Sequence, residues 1–351
     1  MQTGDILRAW GKILQGRKPT LSIEITKECP LRCPGCYAYE DQHIGGGVNL
    51  RQLSDYKGDE LVRRVLQLAD ELRPLHLTLV GGDPLVRYRE VEQIVPRLLK
   101  RGIHVQLVTS AFRAMPEVWK SYRGFTLSVS VDGLEAEHNV RRAPATYDRI
   151  LQNIANQRVT IHCTITGQMM KRPGYLREFM EYWSGVEAAE KVWFSIFTPQ
   201  RGQEMPEILT RAERHDAVRQ IHELRDRYPK LAMPRRLVDH FIHPPSSPTD
   251  CIFSQVTQTV SADLRTAITP CQFGGDPDCS QCGCMASMAL AAVGTYKLGG
   301  LIPVGALFRG SVRLGELRRP AAAPRLPGVA VGDGDAVKGL VFLRGVDRKE
   351  L

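Results

Sequence analysis

The cysteines of this chain are clustered, and this clustering limits its fold more than any other feature. Cys29, Cys33 and Cys36 lie on one short segment, and five further cysteines lie between residues 251 and 284. The first 20 residues lack an apolar stretch followed by a small-residue cleavage site, which predicts a cytoplasmic, reducing location. In such a compartment, clustered cysteines indicate metal sites rather than disulfides. The fold must therefore hold two groups of thiols.

Apolar strands alternate with amphipathic helices along the first 200 residues. The predicted strands are 21–26, 75–80, 103–109, 125–131, 159–165 and 192–198, and the predicted helices between them are 58–73, 88–101, 114–122, 145–157 and 174–183. This alternation predicts a parallel α/β fold with its chemistry at the carboxyl ends of the strands. Six units do not close an eightfold barrel, so we expect an open, partial barrel.

The remaining segments predict the domain organisation. We expect an amphipathic helix in 1–19, the barrel in 20–200, a helical connection in 201–248, a cysteine-rich domain with an apolar helix in 249–310, and a poorly ordered tail in 311–351. The N-terminal helix either covers a barrel end or rests on a membrane surface. The apolar stretch 285–308 is interrupted by glycine and proline, which favours a surface helix over a membrane span.

The charge balance indicates which partners to expect. Lysine and arginine outnumber aspartate and glutamate by 47 to 38, giving a formal net charge of +9. A basic excess favours acidic partners or an anionic surface. The sequence carries no DNA- or RNA-binding motif, so nucleic acid is not expected. A peripheral contact with the inner face of a membrane fits the charge and the apolar segments.

The three N-terminal cysteines have the spacing C-x3-C-x2-C and directly follow the first predicted strand. Three thiolates on one tight loop can hold three irons of a [4Fe–4S] cluster and leave the fourth open to a small molecule. A structural zinc site needs four ligands. Zinc, or thiols without a metal, is the alternative when the motif is considered alone.

A second motif follows the second strand, and the two together resemble the radical S-adenosylmethionine (SAM) superfamily over roughly residues 20–200. The motif is Gly81-Gly82-Asp83-Pro84, with aspartate where the family has glutamate. The resemblance implies a partial (β/α)6 barrel and a [4Fe–4S] cluster whose free iron binds SAM. It also implies reductive cleavage of SAM to methionine and a 5′-deoxyadenosyl radical, with an electron donor such as flavodoxin or ferredoxin.

The same resemblance names candidate SAM-binding residues. In the turn, Gly81 and Gly82 let the backbone approach SAM because no Cβ intervenes, and the Asp83 carboxylate can accept a hydrogen bond from its ammonium group. The segment from His138 to Arg142 resembles the family's H-D-x-x-R, which assigns Arg142 to the SAM carboxylate. The full set of cofactor-binding candidates is Gly81, Gly82, Asp83, Pro84, Ser130, Arg142, Tyr37 and Thr109.

Two of these candidates have equally plausible structural interpretations. Ser130 shares one strand face with Ser128 and Asp132, either facing SAM or packing inside a narrow barrel. Tyr37 follows Cys36 and either stands near the adenine, where the family often has an aromatic residue, or simply packs. No residue is assigned a catalytic role.

The second thiol group predicts a second metal centre. The expected ligands are Cys251, Cys271, Cys279 and Cys282, with Cys284 as the spare thiol. These four suffice for a second [4Fe–4S] cluster or, alternatively, for zinc. The arrangement resembles the auxiliary-cluster regions of the SPASM and twitch types. Cys163 stands alone on a predicted strand, and we expect a buried, inert thiol.

Short stretches also resemble the adenosyl-hopene transferase branch, which implies an apolar lipid or terpenoid substrate. The SPASM-like region implies a peptide substrate instead, and a small polar metabolite is the third class that stays open. A non-catalytic iron–sulfur or zinc protein is the alternative of a different class. The sequence thus predicts a radical SAM enzyme whose substrate is unidentified.

Overall fold

The structure, a computed structural model, describes residues 3–298 and 301–318. The helices are α1 (Thr3–Leu14), α2 (Gly58–Leu72), α3 (Tyr88–Lys100), α4 (Glu135–Arg141), α5 (Tyr147–Ile154), α6 (Gly167–Met170), α7 (Tyr175–Gly185), α8 (Arg211–Arg227), α9 (Arg235–Asp239), α10 (Ile252–Val256), α11 (Met285–Gly294) and α12 (Val304–Arg318). The strands are β1 (Thr20–Glu24), β2 (His76–Val80), β3 (His104–Thr109), β4 (Phe125–Ser130), β5 (Val159–Ile165), β6 (Ala189–Ile196), β7 (Thr257–Val260), β8 (Ala267–Ile268), β9 (Lys297–Leu298) and β10 (Ile302–Pro303).

One sheet carries the first eight strands in the order β6-β5-β4-β3-β2-β1-β7-β8. Neighbours from β6 through β1 to β7 are parallel, and β8 is antiparallel to β7. The predicted α/β fold with six consecutive parallel strands, a partial (β/α)6 barrel, is confirmed. The predicted helix 114–122 is a 3-10 helix at Glu117–Ser121, and the last barrel strand begins at Ala189 rather than at residue 192.

The two faces of the sheet differ in polarity. Residues facing the helices are apolar and buried, for example Leu77 and Leu79 on β2 and Ile161 and Ile165 on β5. The positions between them face the other way, and on β2, β3 and β5 most are only half-buried. We call this second face the lumen. Burial of the apolar face drives assembly, whereas the lumen remains accessible at the carboxyl ends of the strands.

The C-terminal segment reaches both edges of the six-stranded sheet. On one side, β7 pairs with β1 in parallel register. On the other side, the Ile196 N–H of β6 donates to the Gly283 carbonyl at 2.9 Å, and the Gly283 N–H donates to Thr198 Oγ1 at 2.9 Å. A Cβ on Gly283 would lie 1.9 Å from the Ile196 oxygen, so only glycine permits this approach. The cysteine-rich segment is therefore part of the barrel wall.

The apolar stretch 285–308 differs from the single helix that we expected. It forms α11, the β9–β10 hairpin and the start of α12, because glycines and Pro303 interrupt it. Residues 311–318, expected to be poorly ordered, complete α12, whereas residues 319–351 lie outside the described part. Within the described ranges, no helix combines the length and the apolar character that crossing a membrane requires.

The N-terminal helix α1 packs against α12. Trp10 Nε1 donates to Ser311 Oγ at 2.8 Å. The helices approach closely at Gly315, where a Cβ would lie 2.0 Å from the Ile13 carbonyl oxygen. The amphipathic N-terminal helix is therefore covered on one side by protein. Contact of α1 with a membrane stays a prediction.

Candidate active site

The cysteine loop after β1 is held at its start by a buried ionic network. Thr26 Oγ1 and Arg87 Nη2 both donate to Asp55 Oδ2 at 2.7 Å. The other arm of the Arg87 guanidinium donates to Glu28 Oε2 at 3.1 Å. The hydrogen bonds from Arg87 and Lys57 lower the pKa of Glu28 to about 2. This network fixes the backbone that precedes Cys29. No sequence motif predicted it.

The three thiols of this loop lie near one another and are largely withdrawn from water. Burial raises the pKa of Cys29 to about 12 and that of Cys36 to about 11, and each thiol adds to the negative potential felt by the others. The same burial raises the pKa of Cys33, against the guanidiniums of Arg142 and Arg141 beside it. Such thiols ionise when a metal binds them and compensates the burial.

The donor chemistry of the loop fits an iron–sulfur cluster. In the described part of the chain, no three His, Cys, Asp or Glu side chains converge closely enough to hold a single metal ion. Thiolates that share a [4Fe–4S] cluster bind different irons, so they need not meet at one point. Cys29, Cys33 and Cys36 would supply three of the four attachments, as the spacing predicted.

The Gly81-Gly82 turn packs tightly on the cysteine loop. Both glycines have positive φ. A Cβ on Gly81 would lie 2.3 Å from the Glu24 Cβ, and a Cβ on Gly82 would lie 2.1 Å from the Glu28 carbonyl oxygen. The two glycines therefore serve first to seat the turn against the β1 end, because any larger residue would force the two segments apart. Contact of this turn with SAM stays a prediction.

The Asp83 carboxylate has a structural role that the sequence analysis did not assign to it. Its Oδ1 accepts hydrogen bonds from Thr109 Oγ1 at 2.7 Å and the Leu85 N–H at 2.9 Å. Its Oδ2 accepts from the Ser110 N–H at 2.8 Å and from Ser110 Oγ at 2.6 Å. The carboxylate is buried and its acceptor positions face protein donors. Asp83 thus caps the 3-10 helix that begins at Pro84 and ties β2 to β3.

The Asp83 and Thr109 side chains are thus engaged within the protein, and contact of either residue with SAM stays a prediction. Thr109 is buried and its hydroxyl is engaged with Asp83 and with the Ala111 N–H. Four protein donors satisfy the acceptor positions of the Asp83 carboxylate. The shorter aspartate side chain reaches the β3 end and joins the two strands there.

Arg142 lies where the resemblance predicted a carboxylate-binding residue. Its Nε donates to Asp132 Oδ2 at 2.8 Å. In the described ranges, Nη1 and Nη2 of Arg142 have no hydrogen-bond partner. The guanidinium is close enough to Cys33 and Cys36 to interact electrostatically with their thiols. A guanidinium whose Nε–H is bonded and whose two NH2 groups are free can bind a carboxylate bidentately.

Asp132 orients both arginines of the His138–Arg142 segment. Burial raises the pKa of Asp132, but the guanidiniums of Arg142 and Arg141 outweigh burial and lower it to about 2. Arg141 also donates to Glu207 Oε1 at 2.9 Å and to the Pro34 carbonyl of the cysteine loop at 2.9 Å. The loop is thereby connected to α4.

His138 holds the start of this segment in place as a neutral ring. Its Nε2–H donates to the Ala145 carbonyl at 2.7 Å, and its Nδ1 accepts from the Asp132 N–H at 3.1 Å. Burial, with Arg142 nearby, lowers the pKa of His138 to about 4. Asn139 stands where the family segment has aspartate, and its Oδ1 accepts from the Tyr147 N–H.

Ser130 and Tyr37 have different surroundings. Ser130 is half-buried on the lumen face, and its hydroxyl has no protein partner within the described ranges, so it is available to a ligand. Tyr37 packs edge-on against Phe273, with ring centroids 5.3 Å apart, and 5.6 Å from the His43 ring. Tyr37 therefore points toward the second cysteine segment.

A buried ion pair joins β1 to that segment. Glu24 Oε1 lies 2.8 Å from His43 Nε2, and Ser261 Oγ donates to Glu24 Oε2 at 2.7 Å. His43 Nδ1 donates to the Phe273 carbonyl at 2.9 Å. Burial lowers the pKa of His43, but the Glu24 carboxylate outweighs burial and raises it. The sequence signal was a single acidic residue in an otherwise uncharged strand.

The second cysteine group lines one cavity. The cavity contains about 410 Å³ of empty space, part of it open to solvent, and its walls include Cys251, Cys271, Cys279, Cys282 and Cys284. The four predicted ligands thus lie together, but the expected spare thiol, Cys284, lines the same cavity. Gln272 Nε2 donates to Cys284 Sγ at 3.3 Å.

Arg214 on α8 places a buried positive charge beside this cavity. The guanidinium donates to the carbonyls of Gln281 at 2.5 Å, Cys282 at 3.1 Å and Phe241 at 3.0 Å. Within the described ranges, no carboxylate forms a salt bridge with it. A buried guanidinium needs a compensating negative charge, and thiolates in the cavity would supply one.

Cys163 lies outside both groups. It is fully buried in the main apolar core, between Ile161 and Ile165 on the helix-facing side of β5. Burial raises the pKa of its thiol. The predicted inert thiol agrees with this position.

Comparisons with known proteins show which family and which solved structures this chain resembles. Residues 23–182 match the model of the radical SAM superfamily. The structure of Streptococcus suis SuiB bound to S-adenosylmethionine superposes with a TM-score of 0.51 at 13% identity, over 76% of this chain and 61% of SuiB. The chain therefore spans less than two thirds of the length of SuiB in that comparison.

A second solved structure matches over a larger share of its length. Native anSMEcpe with bound AdoMet superposes with a TM-score of 0.51 at 16% identity, over 72% of this chain and 75% of anSMEcpe. A further SuiB structure, bound to the precursor peptide SuiA, gives a TM-score of 0.52 at 13% identity over 90% of this chain and 70% of SuiB. At these identities the structures show a shared fold.

Proposed function

We propose that this chain, an enzyme of the radical SAM superfamily, cleaves SAM reductively at a [4Fe–4S] cluster held by Cys29, Cys33 and Cys36. When bound, the cluster supplies one electron that breaks the sulfonium C–S bond and yields methionine and a 5′-deoxyadenosyl radical. The observation that carries the proposal is the position of Arg142, whose two free NH2 groups lie within electrostatic reach of Cys33 and Cys36. A carboxylate bound there would lie beside the loop whose thiolates would hold the cluster.

The residues of the chain have separate tasks in this proposal. The Arg142 fork binds the methionine carboxylate of SAM, and Asp132 keeps the fork in position through its 2.8 Å contact with Nε. Ser130 offers a free hydroxyl on the same lumen face. The Arg87–Asp55 ion pair holds the start of the cysteine loop in place. The three thiolates can therefore bind the cluster with a small loss of conformational entropy.

A second cluster in the cavity of five cysteines is part of the proposal. Arg214 supports it, because a buried guanidinium bonded to three carbonyls lacks the negative charge that thiolates would provide. Cys284 competes with Cys279 for the fourth position. Cys284 lies at the innermost part of the group, whereas Cys279 is half-exposed. Zinc remains the alternative metal, and metal analysis separates the two.

The test is anaerobic reconstitution with iron and sulfide, followed by dithionite and SAM. We expect methionine and 5′-deoxyadenosine to be released, with dithionite replacing the expected flavodoxin or ferredoxin. Cys33→Ala removes one of three attachments and abolishes this release, whereas Cys163→Ala, a matched change in the core, retains it. Cluster absorbance without SAM cleavage in wild type contradicts the proposal and favours a non-catalytic iron–sulfur protein.

The substrate class is open among a peptide, a lipid or terpenoid, and a small polar metabolite. A peptide is supported by SuiB, solved with a precursor peptide, and by anSMEcpe, solved with a Cp18Cys peptide. A lipid or terpenoid is supported by exposed apolar residues at the β9–β10 hairpin, where Leu301 is 84% exposed. Contact of that hairpin with a membrane stays a prediction.

A further inference from the structure

The lumen of the barrel is lined almost entirely by hydrogen-bonding side chains. Along β1 to β6, the lumen-facing positions alternate with the buried apolar ones, and they carry serine, threonine, histidine, glutamine or a charged residue. The apolar exceptions are Val80, Val108 and Trp193. Two cross-strand contacts confirm the orientation, since Gln106 Nε2 donates to Ser128 Oγ at 2.9 Å and His162 Nε2 lies 2.8 Å from Ser195 Oγ.

The charges near this surface are already balanced within the protein. Glu24 is paired with His43, and Asp132 is paired with Arg142 and Arg141. Lys191 lies near the amino end of β6, and the groups that remain toward the carboxyl ends of the strands are neutral hydroxyls, an amide and imidazoles. A ligand complementary to such a surface carries neutral hydrogen-bonding groups.

Two buried hydroxyls have no partner. Ser22 Oγ on β1 and Thr257 Oγ1 on β7 are buried and form no hydrogen bond within the described ranges. Both side chains are more than nine-tenths buried. A buried hydroxyl without a partner is destabilising, but both oxygens are closed off from the lumen, and Thr257 lies opposite Thr20 at the amino ends of the strands.

His162 presents an unpaired ring nitrogen to the lumen. Its Nε2 pairs with Ser195 Oγ, which also accepts a hydrogen bond from the Met285 N–H at 3.3 Å. The other nitrogen, Nδ1, has no partner in residues 3–298 or 301–318. Burial lowers the pKa of His162 to about 4, so the ring is neutral. By strand register, His162 lies opposite Ser130, next to the proposed SAM position.

We infer that the substrate is a neutral polar molecule bearing amide or hydroxyl groups, and that His162 binds it through Nδ1. The inference rests on the proposed function, because it places the substrate in the lumen beside SAM. An apolar terpenoid would leave His162 Nδ1 without a partner, and this loss lowers affinity severalfold. The lumen therefore disfavours the substrate class that the adenosyl-hopene transferase resemblance implied.

The test uses two fractions of an extract from the source organism, one aqueous and one chloroform-soluble. Reconstituted enzyme receives dithionite, SAM and one fraction, and methionine release is measured. Methionine is released whether the radical abstracts hydrogen or adds to the substrate. The readout is the ratio of release with and without the fraction, for wild type, for His162→Leu, and for His215→Leu as a matched change at an exposed histidine on α8, outside the lumen.

We expect the aqueous fraction to raise methionine release severalfold in wild type and in His215→Leu. In His162→Leu the ratio falls severalfold, toward one, because a buried hydrogen bond to the substrate is lost. His162→Asn, which keeps a hydrogen-bonding group, recovers part of the ratio. The inference is overturned if the aqueous fraction has no effect on wild type, or if His162→Leu responds like wild type. Absence of any methionine release in wild type refutes the proposed function itself.

Discussion

Replacement of His43 by leucine removes one half of the buried ion pair with Glu24 and tests how the two cysteine segments are joined. In wild type, the Glu24 carboxylate accepts from His43 and from Ser261, and His43 also donates to the Phe273 carbonyl. Both side chains are almost fully buried. His43→Leu leaves the carboxylate with one donor, and breaking a buried pair in this way costs about 3–5 kcal/mol of unfolding free energy.

Glu24→Gln is the matched control, because it removes the charge but keeps every hydrogen bond. The amide nitrogen of glutamine donates to Nε2 of a neutral His43, and the amide oxygen accepts from Ser261. The Nδ1–H bond to Phe273 is unchanged. With all groups satisfied, we expect a loss of no more than about 1.5 kcal/mol. The two variants therefore separate charge burial from simple loss of contact.

The pair also predicts a pH dependence. The pKa of His43 is raised in the folded protein by Glu24, against burial. The stabilisation is therefore fully present below the unfolded value of about 6.5 and is lost as the pH rises through the folded value. The free-energy difference between wild type and Glu24→Gln should be largest below the unfolded pKa of about 6.5 and should shrink as the pH rises through the raised pKa of folded His43.

Anaerobic urea unfolding of the reconstituted enzyme, followed by tryptophan fluorescence, measures these differences. The ordering expected at neutral pH is wild type, then Glu24→Gln, then His43→Leu. Equal destabilisation by the two substitutions contradicts the ion-pair argument. So does a difference between wild type and Glu24→Gln that does not change with pH.

Three further outcomes follow from the sites. Arg142→Ala should weaken SAM binding, measured by calorimetry, by about 1.5–3 kcal/mol, because a charged hydrogen bond to the carboxylate is lost; unchanged affinity removes Arg142 from the site. Asp83→Asn places an N–H where two donors converge and should lower the unfolding free energy by about 1–3 kcal/mol, and an unchanged thermal midpoint contradicts the capping role. Wild-type enzyme should contain about eight iron and eight sulfide, and Arg214→Met should lose about half of both, whereas about four iron with one zinc supports zinc in the second cavity.

The strand–helix alternation predicted the barrel well because one face of each strand is apolar and buried. Periodicity reports burial against the helices, and positions such as Leu77 and Leu79 follow it directly. The thiol positions were also predictable, because short spacings force Cys29, Cys33 and Cys36 onto one loop. Local sequence was sufficient wherever neighbours in the chain are neighbours in space.

The contacts that the sequence did not predict join distant segments. Ser261 reaches Glu24 across the β1–β7 pair, and Arg214 reaches Cys282 from α8. Asp83 was expected to bind SAM, but its role depends on the end of β3, which a motif in one turn does not report. Pairings of this kind depend on which strands are neighbours in the eight-stranded sheet and on their register. No local sequence pattern encodes either.

The place of β1 between β2 and β7 has a consequence for how the enzyme matures. During synthesis, β1 emerges more than 230 residues before β7, and the three thiols that follow β1 emerge more than 220 residues before it. Until then one edge of β1 has no strand beside it, and the C-terminal segment that packs against the cysteine loop is missing. The N-terminal thiols are therefore accessible to cluster-assembly proteins during synthesis, until β7 pairs with β1.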